Sequence, residues 1–342
     1  MSSNKSNSTA LSADESNLDT NGTRTELIGS PVTASTDTPR RLISASDGPD
    51  IAFRWIARGS GTIVVTVMSL VGLFLLYQGF QALQVAGPSF LTEQRWDPNS
   101  GKFGIAAVLA GTFFIALTAI SFALPLSLGT ALYISEYAPA KIKSALVTVV
   151  DLMAAVPSVV YGLWGVFFLS GAILPVSQWI STYLGWIPIF AVNGFDVSDP
   201  LASPTAFAAS TFIAGIVVAL MVAPITSSIM REVFTQAPIG EREGALGRGG
   251  IIGGTMLGLG RALGETIAVF LIISPVFVIQ PHILEKGANS ISALIALRYN
   301  EASKFEISAL MAAGLSLFVI TLIVNFIAST IIGRSRSGNE TN

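Results

Sequence analysis

Six stretches of this chain are apolar for long enough to cross a bilayer, and their recurrence restricts the fold more than any other feature of the sequence. A hydrocarbon core of about 30 Å takes about 20 residues of helix, and a helix satisfies its own backbone where no water can. The windows run roughly from Gly59 to Leu83, Phe103 to Tyr133, Ile142 to Leu169, Thr205 to Ile229, Gly249 to Ile279 and Ile307 to Ile332, with Pro157 expected to kink the third. With 51% hydrophobic and 12% charged residues and a mean hydropathy of +0.66, the chain has too little polar surface to coat a soluble core. The expected fold class is therefore an all-α membrane protein with six transmembrane helices over residues 51–336, preceded by a tail at residues 1–50. That Ser/Thr-rich tail has no apolar run to offset the entropy of ordering and reads as disordered. It does not read as a signal peptide, because no hydrophobic segment follows a basic start.

The fifth window carries two charges inside its apolar length, Arg261 and Glu265. A charged side chain near the bilayer centre costs about 2.5 to 3.5 kcal/mol on insertion scales, so it faces a bundle interior or a water-filled path. On a continuous helix the four-residue spacing places guanidinium and carboxylate one turn apart on one face. Two readings are open: a self-neutralising ion pair that only lets the helix insert, or a pair lining the route of a charged solute. Gly250, Gly254 and Gly258, with Gly260 and Gly264, form small-xxx-small faces for close helix packing. Asp151 is a further intramembrane acid, near one end of the third window, where it either snorkels to the interface or joins the route. Pro125 and Pro224 each free a backbone carbonyl or simply bend their helices.

Several functions are excluded. No cysteine is present, so neither a disulfide framework nor a thiolate metal site exists. The single histidine, His282, in a polar loop, argues against a His-based metal centre and against Ser/His/Asp catalysis. No GxxxxGK[ST] phosphate cradle occurs. A net charge of -2 without a basic patch implies no nucleic-acid partner.

Orientation is set by the basic residues. With the amino terminus inside, Arg40, Arg41, Arg54, Arg58, Lys141, Lys143, Arg231, Arg242, Arg248, Arg334 and Arg336 are cytoplasmic, while Arg95, Lys102, Lys286, Arg298 and Lys304 are outside. Both termini are thus expected in the cytoplasm of a cell-membrane protein. Val176 to Val192 is uncharged and of nearly spanning length, but Trp179, Tyr183 and Trp186 suit an outer interfacial segment.

Three blocks together carry a family resemblance: DLMAAVPSVVYGLWG at Asp151 to Gly165, MREVF at Met230 to Phe234, and LGLGRALGETIAV at Leu257 to Val269. They resemble the permease subunit of the phosphate-specific ABC importer, the PstC type, from about Ile51 to Gly333. The resemblance implies the MetI-like architecture of ABC importer permeases. It also implies three kinds of partner: a second permease of the PstA type, a dimer of PstB-type ATPase subunits and an external phosphate-binding protein of the PstS type. ATP would be used by the ATPase subunits, leaving no cofactor on this chain. In the family the membrane Arg and Glu are tied to phosphate passage, and these fall on Arg261 and Glu265. The chemistry agrees, since a guanidinium binds an oxyanion bidentately and the carboxylate keeps the site from holding it too tightly.

One departure bears on energisation. Glu243, Gly244, Ala245, Leu246 and Gly247 resemble the start of the loop by which ABC permeases dock on their ATPase, and Arg248, Gly249 and Gly250 resemble the residues just past its Leu-Pro end. The middle is missing. Three turns of helix need about eleven residues, and Gln236 to Arg248 must also supply both turns. A shorter loop is tolerated by the membrane fold. Glu241, Arg242, Glu243 and Gly244, with Arg231 and Glu232, then form either a reduced contact or a solvated loop. Two rival functions arise from this departure: an ion-coupled secondary transporter, or a subunit that assembles but couples poorly and does not transport. Against the first, Asp151, Arg261 and Glu265 make a thin proton relay and no inverted repeat is apparent.

Overall fold

The computed structural model describes residues 48–193, 195, 203–236 and 249–336. Five helical segments are long and apolar enough to cross a membrane, Ile51–Leu91, Ala106–Tyr137, Ser158–Leu184, Thr211–Thr235 and Lys304–Thr330, and a shorter apolar helix runs over Ile251–Gly264. The protein is an all-α, multi-pass membrane protein. The disordered tail expected at residues 1–50 lies, up to residue 47, outside the described residues, as do Glu241, Arg242, Glu243 and Gly244. The chain divides after Arg58: the first unit is described only where helix α1 (Gly48–Ala86) begins, and the second holds the cores and the site described below.

Helix α2 (Ala106–Leu132) and helix α6 (Thr211–Gln236) form the centre. Ile115, Ala116, Ala119 and Ala123 of α2 are buried with Ile213, Val217, Met221 and Val222 of α6 in the largest apolar cluster. Small residues set this approach, because a Cβ at Gly215 would lie 2.5 Å from the Thr118 side chain. Buried Ser127 Oγ donates to the Ala223 carbonyl at 3.0 Å, a cross-helix bond beside Pro224. A second core gathers Phe90, Trp96, Phe103, Leu294 and Leu310, around a short antiparallel pair, β1 (Trp96–Asp97) and β2 (Lys102–Phe103). There Trp96 Nε1 donates to buried Glu306 at 3.3 Å.

The third crossing differs from the expected Ile142 to Leu169. Helix α3 (Ala140–Ala155) stops before Pro157, and both Val156 (ψ 129°) and Pro157 (ψ 141°) are extended. The ring of a proline disfavours helical geometry in the residue before it, so Pro157 ends one helix instead of bending a longer one. Helix α4 (Ser158–Trp164), a π turn (Gly165–Leu169) and helix α5 (Ser170–Leu184) then run on as a single span. Val176 to Leu184, expected at the interface, belongs to that span, with Trp179 and Tyr183 exposed near its end.

The fifth crossing is not one helix through Ile279. Helix α7 (Gly249–Gly264) stops, helix α8 (Ile267–Ile272) comes next, and the chain then runs without helix to α9 (Ile291–Arg298) and α10 (Lys304–Arg336). The cause is local: the Glu265 side chain accepts from the Ala268 N–H at 3.3 Å, a cap that competes with continuing the ladder after a glycine.

Replacing Gly215 by Ala is expected to destabilise the detergent-solubilised protein by about 1–3 kcal/mol through overpacking against Thr118. Gly61, whose Cβ would meet nothing within 4 Å, should tolerate Ala without loss. Thermal unfolding of the two variants checks the difference.

Candidate functional site

Helix α7 is packed by its glycines onto two neighbours. A Cβ at Gly254 would lie 2.9 Å from Met230 Cγ, and one at Gly258 would lie 2.8 Å from Thr226 Oγ1, both on α6. Gly260 meets Asn325 of α10, whose Oδ1 would be 2.9 Å from an added Cβ. Gly250 lies in the first turn of α7, and Gly264, the last residue of the helix, has open space beside it.

These contacts fix which face of α7 the described residues leave uncovered. Leu257, 54% exposed, Arg261 and Gly264 recur at helical spacing along that face, and all three are exposed. Arg261 stands in the last turn of α7, where a cation is favoured by the helix dipole. It forms no ion pair or hydrogen bond with any described residue. The reading of Arg261 and Glu265 as a self-neutralising pair on one continuous helix is therefore not realised, because the helix ends between them.

Glu265 is half-buried at the break and is held three ways. Its N–H donates to the Ala262 carbonyl at 3.4 Å, its carboxylate caps α8 through Ala268 N, and its own carbonyl accepts from Ser292 Oγ at 2.7 Å. Thr266 Oγ1 donates to the Gly264 carbonyl at 3.2 Å. The break thus exposes backbone polar groups inside an apolar span and supplies each of these with a partner, which lipid alone cannot do.

Asp151 is placed elsewhere. On α3, 54% exposed, it lies 3.9 Å from Arg231 Nη2 and accepts from Ser228 Oγ at 3.5 Å, both on α6. Arg231 Nη2 also donates to Ser228 Oγ at 3.2 Å. The structure brings Asp151 to Arg231, not to Arg261. Sequence reasoning used Arg231 for orientation, for the family resemblance and for the loop that would meet the ATPase, and missed it as the partner of Asp151. It also missed Ser292, whose one signal is the polar run Asn289, Ser290 and Ser292 set among apolar residues.

Chemically, the arrangement offers a guanidinium, unpaired among the described residues, for an oxyanion, and a carboxylate beyond it whose position is fixed by backbone. Among the described residues no group of three or more His, Cys, Asp or Glu could hold a metal ion.

Comparison with known proteins bears on the same residues. The chain is 32% identical over 307 residues to the phosphate transport system permease protein PstC 2 of Mycobacterium tuberculosis, covering 84% of this chain and 92% of that one. It is 34% identical over 303 residues to the phosphate transport system permease protein PstC of Xylella fastidiosa, with 83% and 91% covered. To the PstC of Pasteurella multocida it is 33% identical over 307 residues, with 83% and 92% covered. No family model matches the chain.

The absence of native cysteine makes the uncovered face directly testable. A thiol introduced as Leu257→Cys is expected to react with a membrane-impermeant, charged methanethiosulfonate in the assembled protein, because a thiolate forms only in water. Phe167→Cys, 82% exposed on another span, should stay unlabelled in lipid. Equal labelling of the two, read by mass spectrometry, would remove the distinction.

Proposed function

Because the chain belongs to the family of PstC phosphate transport system permease proteins, we propose that it is the transmembrane permease subunit of an ATP-driven importer that carries inorganic phosphate into the cell by alternating access. In this reading it is not an enzyme: it sits in the cell membrane with both termini cytoplasmic. It pairs with a second, PstA-type permease and receives phosphate from a PstS-type binding protein. ATP is spent by PstB-type subunits docked on the cytoplasmic side.

The observation that supports this most is Arg261, exposed and without a partner among the described residues, on a face of α7 that those residues leave uncovered. In lipid such a charge costs about 2.5 to 3.5 kcal/mol, and lining an aqueous route shared with the second permease removes that cost. A guanidinium there replaces part of the phosphate hydration shell with two parallel charge-assisted hydrogen bonds. Glu265, one step further along the broken helix, repels the anion and shortens its stay. Asp151 keeps a proposed place on the route, at its cytoplasmic end, with Arg231 as counter-charge. Glu241, Arg242, Glu243 and Gly244 are proposed as a reduced contact to the ATPase, and co-purification of the ATPase pair with this subunit reports on it.

Arg261→Gln is expected to abolish phosphate uptake in cells or proteoliposomes while leaving insertion and assembly intact. Arg261→Lys, which keeps the charge but loses the bidentate fork, should retain only a fraction of the rate. Undiminished uptake by Arg261→Gln would remove the guanidinium from the route.

A further inference from the structure

We infer that Ser292, on the returning helix α9, is a positioning residue for the anion route: its hydroxyl, bonded to the Glu265 carbonyl, sets where the Glu265 carboxylate stands relative to Arg261. This rests on the proposed role of Arg261 and Glu265.

After α8 the chain leaves the break, reaches Ile283, whose N–H donates to the Ile189 carbonyl at 3.0 Å and whose carbonyl accepts from Phe212 N at 2.9 Å, and then comes back. Outgoing and returning limbs are tied at two levels, by Ala288 N to the Ser274 carbonyl at 3.1 Å and by Ser292 Oγ to the Glu265 carbonyl at 2.7 Å. The second tie reaches the residue that carries the acid. It is also the shorter.

Ser292 is itself held in place by α2. Ile291 N donates to Thr112 Oγ1 at 3.0 Å, Ser290 N to its neighbour Asn289 Oδ1 at 2.9 Å, and Ala293 N to Ser290 Oγ at 3.1 Å. Gly111 leaves no room for a side chain against the Asn289 carbonyl. The N–H groups of Ser290, Ile291 and Ala293 are thereby satisfied by protein acceptors and are not free to meet a ligand. The outward contribution of α9 at this point is the Ser292 hydroxyl, in a residue 7% exposed. Residue 265 has its side chain committed to capping α8 and its carbonyl committed to Ser292, so the bond fixes the peptide from which the carboxylate projects. Without it a polar carbonyl is left half-buried in an apolar span, and the break rotates to find another donor. The carboxylate moves with it.

The test is phosphate uptake by the complete transporter in proteoliposomes, with KM and Vmax measured separately and the assembled complex quantified. Ser292→Ala is expected to change KM about two- to tenfold, the scale of one neutral hydrogen bond, with the amount of complex unchanged. Ser292→Thr, which restores a hydroxyl, should return KM to the wild-type value. Ser177→Ala, removing a buried hydroxyl that has no partner among the described residues, serves as the structural control and should leave KM alone. A wild-type KM in Ser292→Ala, or an altered KM that Thr does not rescue, overturns the assignment. Where Ser292→Ala lowers the yield of complex, the Thr variant at full assembly still decides it. If Arg261→Gln abolishes uptake while Ser292→Ala keeps its KM, only the role of Ser292 falls. If Arg261→Gln transports normally, the anion route itself falls.

Discussion

A helix that stops inside a membrane must find partners for the backbone groups it abandons, and the structure around Gly264 and Glu265 is shaped by that requirement. The Glu265 carboxylate takes the Ala268 N–H, Thr266 Oγ1 takes the Gly264 carbonyl, and Ser292 Oγ takes the Glu265 carbonyl. The partners are held in turn: Ser292 by the docking of α9 on Thr112 of α2, and α2 by the small-residue seam with α6. The break is thus part of the core packing. Its consequence is electrostatic, because ending the helix between Arg261 and Glu265 prevents the ion pair that a continuous helix would favour.

Separating those charges gives the site its character. A guanidinium already paired with a carboxylate one turn away would offer a passing anion little net attraction, since binding would require breaking that pair. Here the carboxylate is spent on capping α8 and the guanidinium remains available. The contrast with Asp151 is instructive: that acid faces Arg231 and a bridging Ser228 hydroxyl at the α3 and α6 junction, where a loose ion pair between partly exposed groups contributes at most about 1 kcal/mol. Among the described residues, one of these charges is left without a partner and the other is given one.

Much of the fold was legible because apolar length needs only composition to be recognised, and α1, α2, α6 and α10 fall close to the expected windows. Where the expectation failed, local backbone chemistry decided the outcome. Pro157 was visible, but whether it kinks or ends a helix depends on Val156, which is extended and so ended it. Trp179 and Tyr183, interfacial by type, sit in the last turns of a span that runs on to Leu184, further than the expected end at Leu169. Of the site, Arg261 and Glu265 stood out because charge in an apolar window is conspicuous. The break between them did not, since Gly264 fits a packing glycine as well as a helix end. The polar run around Ser292 was visible, but its pairing was beyond reach: it bonds a residue 27 positions earlier, and no periodicity links them.

Phosphate passage of the kind proposed requires the Arg261 guanidinium to touch the anion within the membrane. Solid-state NMR of the assembled transporter, with nitrogen-15 in arginine and phosphate bound, measures this directly through the dipolar coupling between phosphorus and the guanidinium nitrogens. Two charge-assisted hydrogen bonds place nitrogen within about 4 Å of phosphorus, so strong dephasing is expected in the native protein and its loss in Arg261→Lys. Dephasing that survives unchanged in Arg261→Lys, or is absent from the native protein with phosphate bound, would contradict the account.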